Sequence, residues 1–186
     1  MKHRKRVLAA TGLAAVAALV VAALFVVPAL ATPPTLVTTT TFGVGRFDNI
    51  DSTTKTAIDP VGPPTGPGAA AHFWQARINT KGASDLYVLQ NTIQPGGTFG
   101  WHSHPGPSLV IVKSGTATFY MADDPTCSPQ IVPAGSGFVD NGHDTHVVRN
   151  EGSVDLVTVV VSLVPAGFQR RIDELAPANC PALPNG

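Results

Sequence analysis

The run Gly96-Gly97-Thr98-Phe99-Gly100-Trp101-His102-Ser103-His104-Pro105-Gly106 sets two histidines two residues apart. Successive side chains of a strand point to opposite faces, so His102 and His104 share one face. A rigid sheet can then aim two imidazoles at a single point, as a transition-metal ion requires. A second cluster, His143 and His146, follows about forty residues later. Its spacing of three puts the two on opposite faces of an ideal strand. Both could turn inward only if Gly142-His143-Asp144 forms a turn or a bulge; otherwise His143 reads as a rim residue. His3 sits in a basic leader, and His72, without a partner in sequence, reads as a packed or surface residue. Asp140, Asp144 and Glu151 are candidates for orienting a ligand histidine through its free ring nitrogen, or for handling a proton. Acids in an Asn-Gly-His-Asp stretch also serve as turn formers. Phe99 and Trp101 read as cavity lining or as core.

The elements that must hold these residues read as short strands. Ser84 to Gln94 is rich in β-formers and ends at Pro95-Gly96-Gly97. Leu109-Val110-Ile111-Val112 is a compact apolar run suited to a strand buried on both faces. Beyond Ser114-Gly115, Ala117, Phe119 and Met121 alternate with Thr116, Thr118 and Tyr120, a half-buried pattern. Val157, Val159, Val161 and Leu163 line one face of a late strand, Leu156 to Val164. Strands at this spacing predict an antiparallel sandwich or barrel. A turn of helix is expected around Ile172 to Leu175, before a Pro-rich tail. Thr32 to about Phe42 reads as an extended arm or edge strand, and Asp59 to Ala71 as a Pro- and Gly-punctuated loop.

The chain of 186 residues opens with Lys2-His3-Arg4-Lys5-Arg6, an apolar run from Val7 to Val27, and then Ala29-Leu30-Ala31. This is the pattern of a secretory signal peptide cut after Ala31, with an uncleaved membrane anchor as the alternative. Without the leader, 8 basic side chains face 12 acidic ones, a net charge of −4. No basic stripe interleaved with aromatics remains, which excludes a nucleic-acid groove. The two cysteines, Cys127 and Cys180, both follow the leader. In an oxidising compartment an even count favours a disulfide, here tying the tail to the loop Asp123-Asp124-Pro125-Thr126-Cys127.

Two motifs together resemble the cupins. Gly96, His102, His104 and Gly115 stand at the spacing of the first cupin motif; Pro133, Gly135, His146 and Asn150 resemble the second, with a longer insert. The resemblance covers residues 72 to 165 and implies an all-β, double-stranded β-helix (jelly-roll) barrel, here preceded by the signal helix. The division expected is a signal peptide (1–31), an arm and loop (32–71), the cupin β-barrel (72–175) and a C-terminal tail (176–186).

The resemblance further implies a metal site of His102, His104 and His146, holding a divalent transition metal (Fe, Mn, Zn, Cu or Ni). The glutamate that cupins usually carry four residues after the second histidine is absent: Ser108 stands there. Three neutral imidazoles would leave positions open on the ion for water or a small molecule. The resemblance thus implies a secreted metal-dependent enzyme acting on a small molecule, an oxygenase or isomerase, or else a non-catalytic module that binds a small ligand or a metal. The expected partners are a small-molecule ligand or substrate, a second copy of the chain if it forms a homodimer, and a membrane only if the leader stays uncleaved.

Overall fold

The computed structural model describes residues 31–57 and 73–180. The leader, the Pro/Gly-rich loop with His72, and the last residues of the tail lie outside the described residues. Among the described residues every regular element is a strand, and no helix is long and apolar enough to cross a membrane.

Twelve strands follow in chain order. They are β1 (Thr35–Phe47), β2 (Asp51–Ala57), β3 (Phe73–Asn79), β4 (Ser84–Thr98), β5 (His102–Ser103) and β6 (Ser108–Ser114). Then come β7 (Thr116–Met121), β8 (Gln130–Pro133), β9 (Gly137–Asp140), β10 (His146–Arg149), β11 (Leu156–Pro165) and β12 (Ile172–Asp173). Ten form one sheet whose main path runs β12-β5-β10-β4-β11-β6-β9, with β1 on β4 and the β7–β8 pair joined at β10. All the pairings are antiparallel. Of the sandwich or barrel that the strand spacing predicts this is the barrel, of the jelly-roll type that the resemblance implies. β2 and β3 make a separate two-stranded ribbon. The arm or edge strand expected near Thr32 is the long strand β1, paired with β4 from Thr35↔Thr98 to Phe47↔Ser84 with two register shifts.

Inward side chains follow the period of two. On β6, Val110 and Val112 are buried whereas Leu109 and Ile111 are exposed. The strand is therefore buried on one face, not on both as its unbroken apolar run suggested. Its outer residues adjoin Val139, Val159 and Val161 in an apolar outer face. On β11 the inward set is Leu156, Thr158, Val160, Ser162 and Val164, the complement of the valine row noted in the sequence. Ile93, Val112, Ala117, Phe119, Val148 and Leu156 form the barrel core.

β7 departs in the other sense. Thr118 and Tyr120 are buried along with Ala117 and Phe119, so both faces are covered. For Tyr120 the cause is the tail. Cys180 is bonded to Cys127 and packs with Trp101, Tyr120 and Val147. Trp101 thus belongs to this outer cluster and not to the cavity. The segment expected to turn as a helix is strand β12, pairing Ile172 with Ser103 and Asp173 with His102. Edge pairing on β5 offers those residues backbone partners that an isolated helical turn would lack.

Gly115 joins β6 to β7 at φ +73°, and a Cβ there would lie 2.7 Å from the Asp155 carbonyl oxygen. Both the backbone conformation and the close approach demand glycine. Asn150 is almost wholly buried and donates to the carbonyls of Ile93 and Val154, closing the turn after β10. These two motif residues shape turns; the histidines face the cavity.

Candidate metal centre

Two strand ends bring the histidines together. His102 opens β5, His104 follows it, and His146 opens β10 as the register partner of His102. All three are buried, and one ring nitrogen of each lies within 4.8 Å of the others. A metal about 2.0–2.1 Å from each nitrogen holds them at most about 4 Å apart, so small ring rotations suffice to close the site.

The other ring nitrogens fix the tautomers. Nδ1 of His102 meets the Gly100 carbonyl at 2.8 Å, and Nδ1 of His146 meets the Asp144 carbonyl at 2.8 Å. Nδ1 of His104 meets the Arg170 carbonyl. A carbonyl only accepts, so each Nδ1 carries the ring proton and each neutral ring leaves its lone pair on Nε2. Burial pushes His102 well below the ordinary histidine range, with repulsion from His146 and Arg171 adding to it. Burial likewise lowers His104 to about 4, although its bond to Arg170 and the nearby Asp140 act the other way. His102 and His104 are thus held as metal ligands need them, neutral and with Nε2 free.

Asp140 ends β9 beside them and is buried. Its Oδ2 lies 3.3 Å from Nε2 of His104 and 3.7 Å from Nε2 of His146. That oxygen has no hydrogen-bond partner among the described residues. An ion pair would need a second proton on a buried ring, which burial opposes for His104. What remains is a buried cluster of polar atoms (the ring nitrogens that the carbonyls leave free and the Asp140 oxygen) facing one another. Such a cluster is costly unless a cation sits within it, so the residues fit a divalent metal ion.

The other acids of the second motif stand elsewhere. Asp144 meets His146 through its backbone carbonyl, not its carboxylate. Glu151 accepts from the Tyr120 hydroxyl at 2.9 Å and sits beside Arg149. His143 is exposed at φ +60°, within the turn before β10, and its backbone N–H donates to the His104 carbonyl. It is a rim residue whose main chain braces a site histidine.

The cavity measures about 40 Å³. Phe99, Val110, Phe138, Val148 and Val160 supply its apolar wall. Arg170 and Arg171, which sequence reasoning passed over, line it as well. Arg171 is held by Asp173 through Nε at 2.6 Å, while its Nη1 and Nη2 are buried without partners among the described residues. Neither arginine belongs to a histidine motif. Only the pairing of β12 with β5 brings them to the site.

Residues 90–162 match the Cupin domain family. No curated protein sequence matches the chain significantly. Among solved structures, a cupin-like protein from Thermotoga maritima is 21% identical, over 49% of this chain and 65% of its own, at a TM-score of 0.43. A conserved protein with a double-stranded β-helix domain from Klebsiella pneumoniae is 19% identical over 48% of this chain and 70% of its own, at 0.41. A cupin superfamily protein from Desulfitobacterium hafniense is 11% identical over 61% and 78%, at 0.38. Both histidine motifs lie inside the matched segment, so residues 90–162 carry a cupin domain.

Proposed function

We propose that this protein holds a divalent transition-metal ion on Nε2 of His102, His104 and His146 and takes a small anionic molecule into the same cavity. The observation that carries this reading is the convergence of three Nε2 lone pairs on one buried point, each ring fixed by a backbone carbonyl at Nδ1. When bound, the ion would supply Lewis-acid polarisation of an oxygen on the small molecule.

The chain's own residues select the ligand. Nη1 and Nη2 of Arg171 form a fork, unpartnered among the described residues, whose geometry matches a carboxylate. A cavity of about 40 Å³ leaves room for only a few heavy atoms at roughly 10–15 Å³ per water-sized site. The apolar wall excludes further water and strengthens the electrostatics inside. The Cys127–Cys180 bond supports an oxidising, extracytoplasmic location, in keeping with the exported chain expected from the leader.

The test is metal analysis of purified protein, before and after chelator stripping and reloading, followed by titration with formate, acetate and glycolate. One ion per chain and carboxylate binding weakened at least about tenfold in Arg171→Met support the reading. Protein that cannot be loaded with any divalent transition metal overturns it. Turnover of the bound molecule separates an oxygenase or isomerase from a binding module.

A further inference from the structure

We infer that Asp140 is a fourth protein ligand of this metal ion, delivered by β9 instead of by the β6 position where the resemblance places a glutamate. The inference rests on the three-histidine reading and adds a residue to it.

Ser108 and Asp140 are register partners on β6 and β9. Directly opposed residues of an antiparallel pair project to the same face, so both point into the cavity. Ser108 is committed elsewhere: its hydroxyl lies 2.7 Å from that of Ser162. Asp140 occupies the adjacent strand at the same rung, so the carboxylate missing from position 108 is restored one strand over.

The local backbone divides the carboxylate between two tasks. Oδ1 accepts the Gly142 N–H at 3.0 Å, an Asx-type turn. Gly142 takes φ +80°, and a Cβ there would meet the Gly106 backbone at 2.8 Å, so the turn is built for glycine. With Oδ1 tied down, Oδ2 is the free atom, and it faces Nε2 of both His104 and His146. It is buried and unpartnered among the described residues. A carboxylate that only oriented a ligand histidine would bond Nδ1, and all three Nδ1 atoms are taken by carbonyls. Oδ2 stands on the metal side of the rings. The resulting three-nitrogen, one-oxygen set carries a single negative charge, leaving a divalent ion with a net positive charge for the anion beside Arg171.

Cobalt(II) titration of chelator-stripped protein tests this, with affinity read by chelator competition and coordination by the visible absorption spectrum. Asp140→Asn is nearly isosteric and keeps an oxygen for the Gly142 N–H. It should weaken cobalt binding by more than about 100-fold, beyond what loss of an outer partner usually costs, and change the spectrum. The metal-free variant should melt close to metal-free wild type, because asparagine keeps the size of the side chain and its bond to the Gly142 N–H. His143→Asn, an exposed position whose φ suits asparagine, should change neither. If Asp140→Asn binds with unchanged affinity, or with an unchanged spectrum, while His102→Ala loses the ion, Asp140 is not a ligand and the three-histidine site stands. If wild type takes up no cobalt or other divalent ion, both readings fall.

Discussion

His102 and His146 face each other as register partners of β5 and β10, with ring centroids 4.4 Å apart. One rung of the sheet thus supplies one donor from each motif, and His104 adds the third from beyond β5. Two donors of the set come from one strand end, so replacing both His102 and His104 by Ala should abolish stoichiometric metal binding, as read by elemental analysis after gel filtration. His72→Ala should leave one ion per chain. Unchanged metal content in the double variant would remove the site assignment.

Cys127 and Cys180 close a span of 53 residues. In the chain-entropy model that closure stabilises the fold by about 4 kcal/mol. The bond also holds Cys180 against Trp101 and Tyr120, so its loss uncovers the outer face of β7. Cys127→Ser with Cys180→Ser should lower the melting temperature markedly and redden Trp101 emission before global unfolding. Thiol labelling of denatured, unreduced wild-type protein should find neither cysteine free; two labelled cysteines would refute the crosslink.

The leader predicts a mature chain beginning at Thr32. Thr32 is held at the barrel, its N–H on the Glu174 carbonyl and its hydroxyl accepting from the Trp101 N–H. A new N-terminus at this residue would stay anchored. N-terminal mass spectrometry of protein from culture supernatant should find Thr32 first. Full-length chain confined to the membrane fraction would favour the anchor instead.

His102 and His104 were legible because ligand spacing is a local property: a two-residue period puts them on one face wherever the strand lies; His146 was reached only through the resemblance. The disulfide was legible from cysteine count and the expected compartment. Asp140 was visible as a candidate acid, but its part was not, because only the register of β9 against β6 sets it opposite Ser108. Arg171 was hidden for a similar reason. It lies near the chain's end, and its place depends on β12 adding to β5, a pairing that carries no periodic signal over two residues. The apolar run of β6 misled because hydrophobicity reports what tolerates burial, and Leu109 and Ile111 remain on an outer face.

Arg46 and Asp85 form a two-point ion pair across β1 and β4, with Nε and Nη2 each 2.8 Å from a carboxylate oxygen. Arg46 lowers the Asp85 carboxyl to about 2, its hydrogen bonds acting most strongly and the Gly167 N–H next. A carboxyl depressed in the folded state stabilises the fold above its ordinary value near 4 and loses that contribution as pH falls toward 2. Arg46→Met removes the largest cause and leaves the Gly167 bond. The variant should therefore melt below wild type at neutral pH, with the gap constant above about pH 5 and closing between pH 4 and 2. High salt should narrow the gap at neutral pH, because the Arg46 side chain is exposed. Thermal melts across this range decide it: a gap independent of pH would mean that Arg46 acts through packing of its stem on β1 and not through its charge.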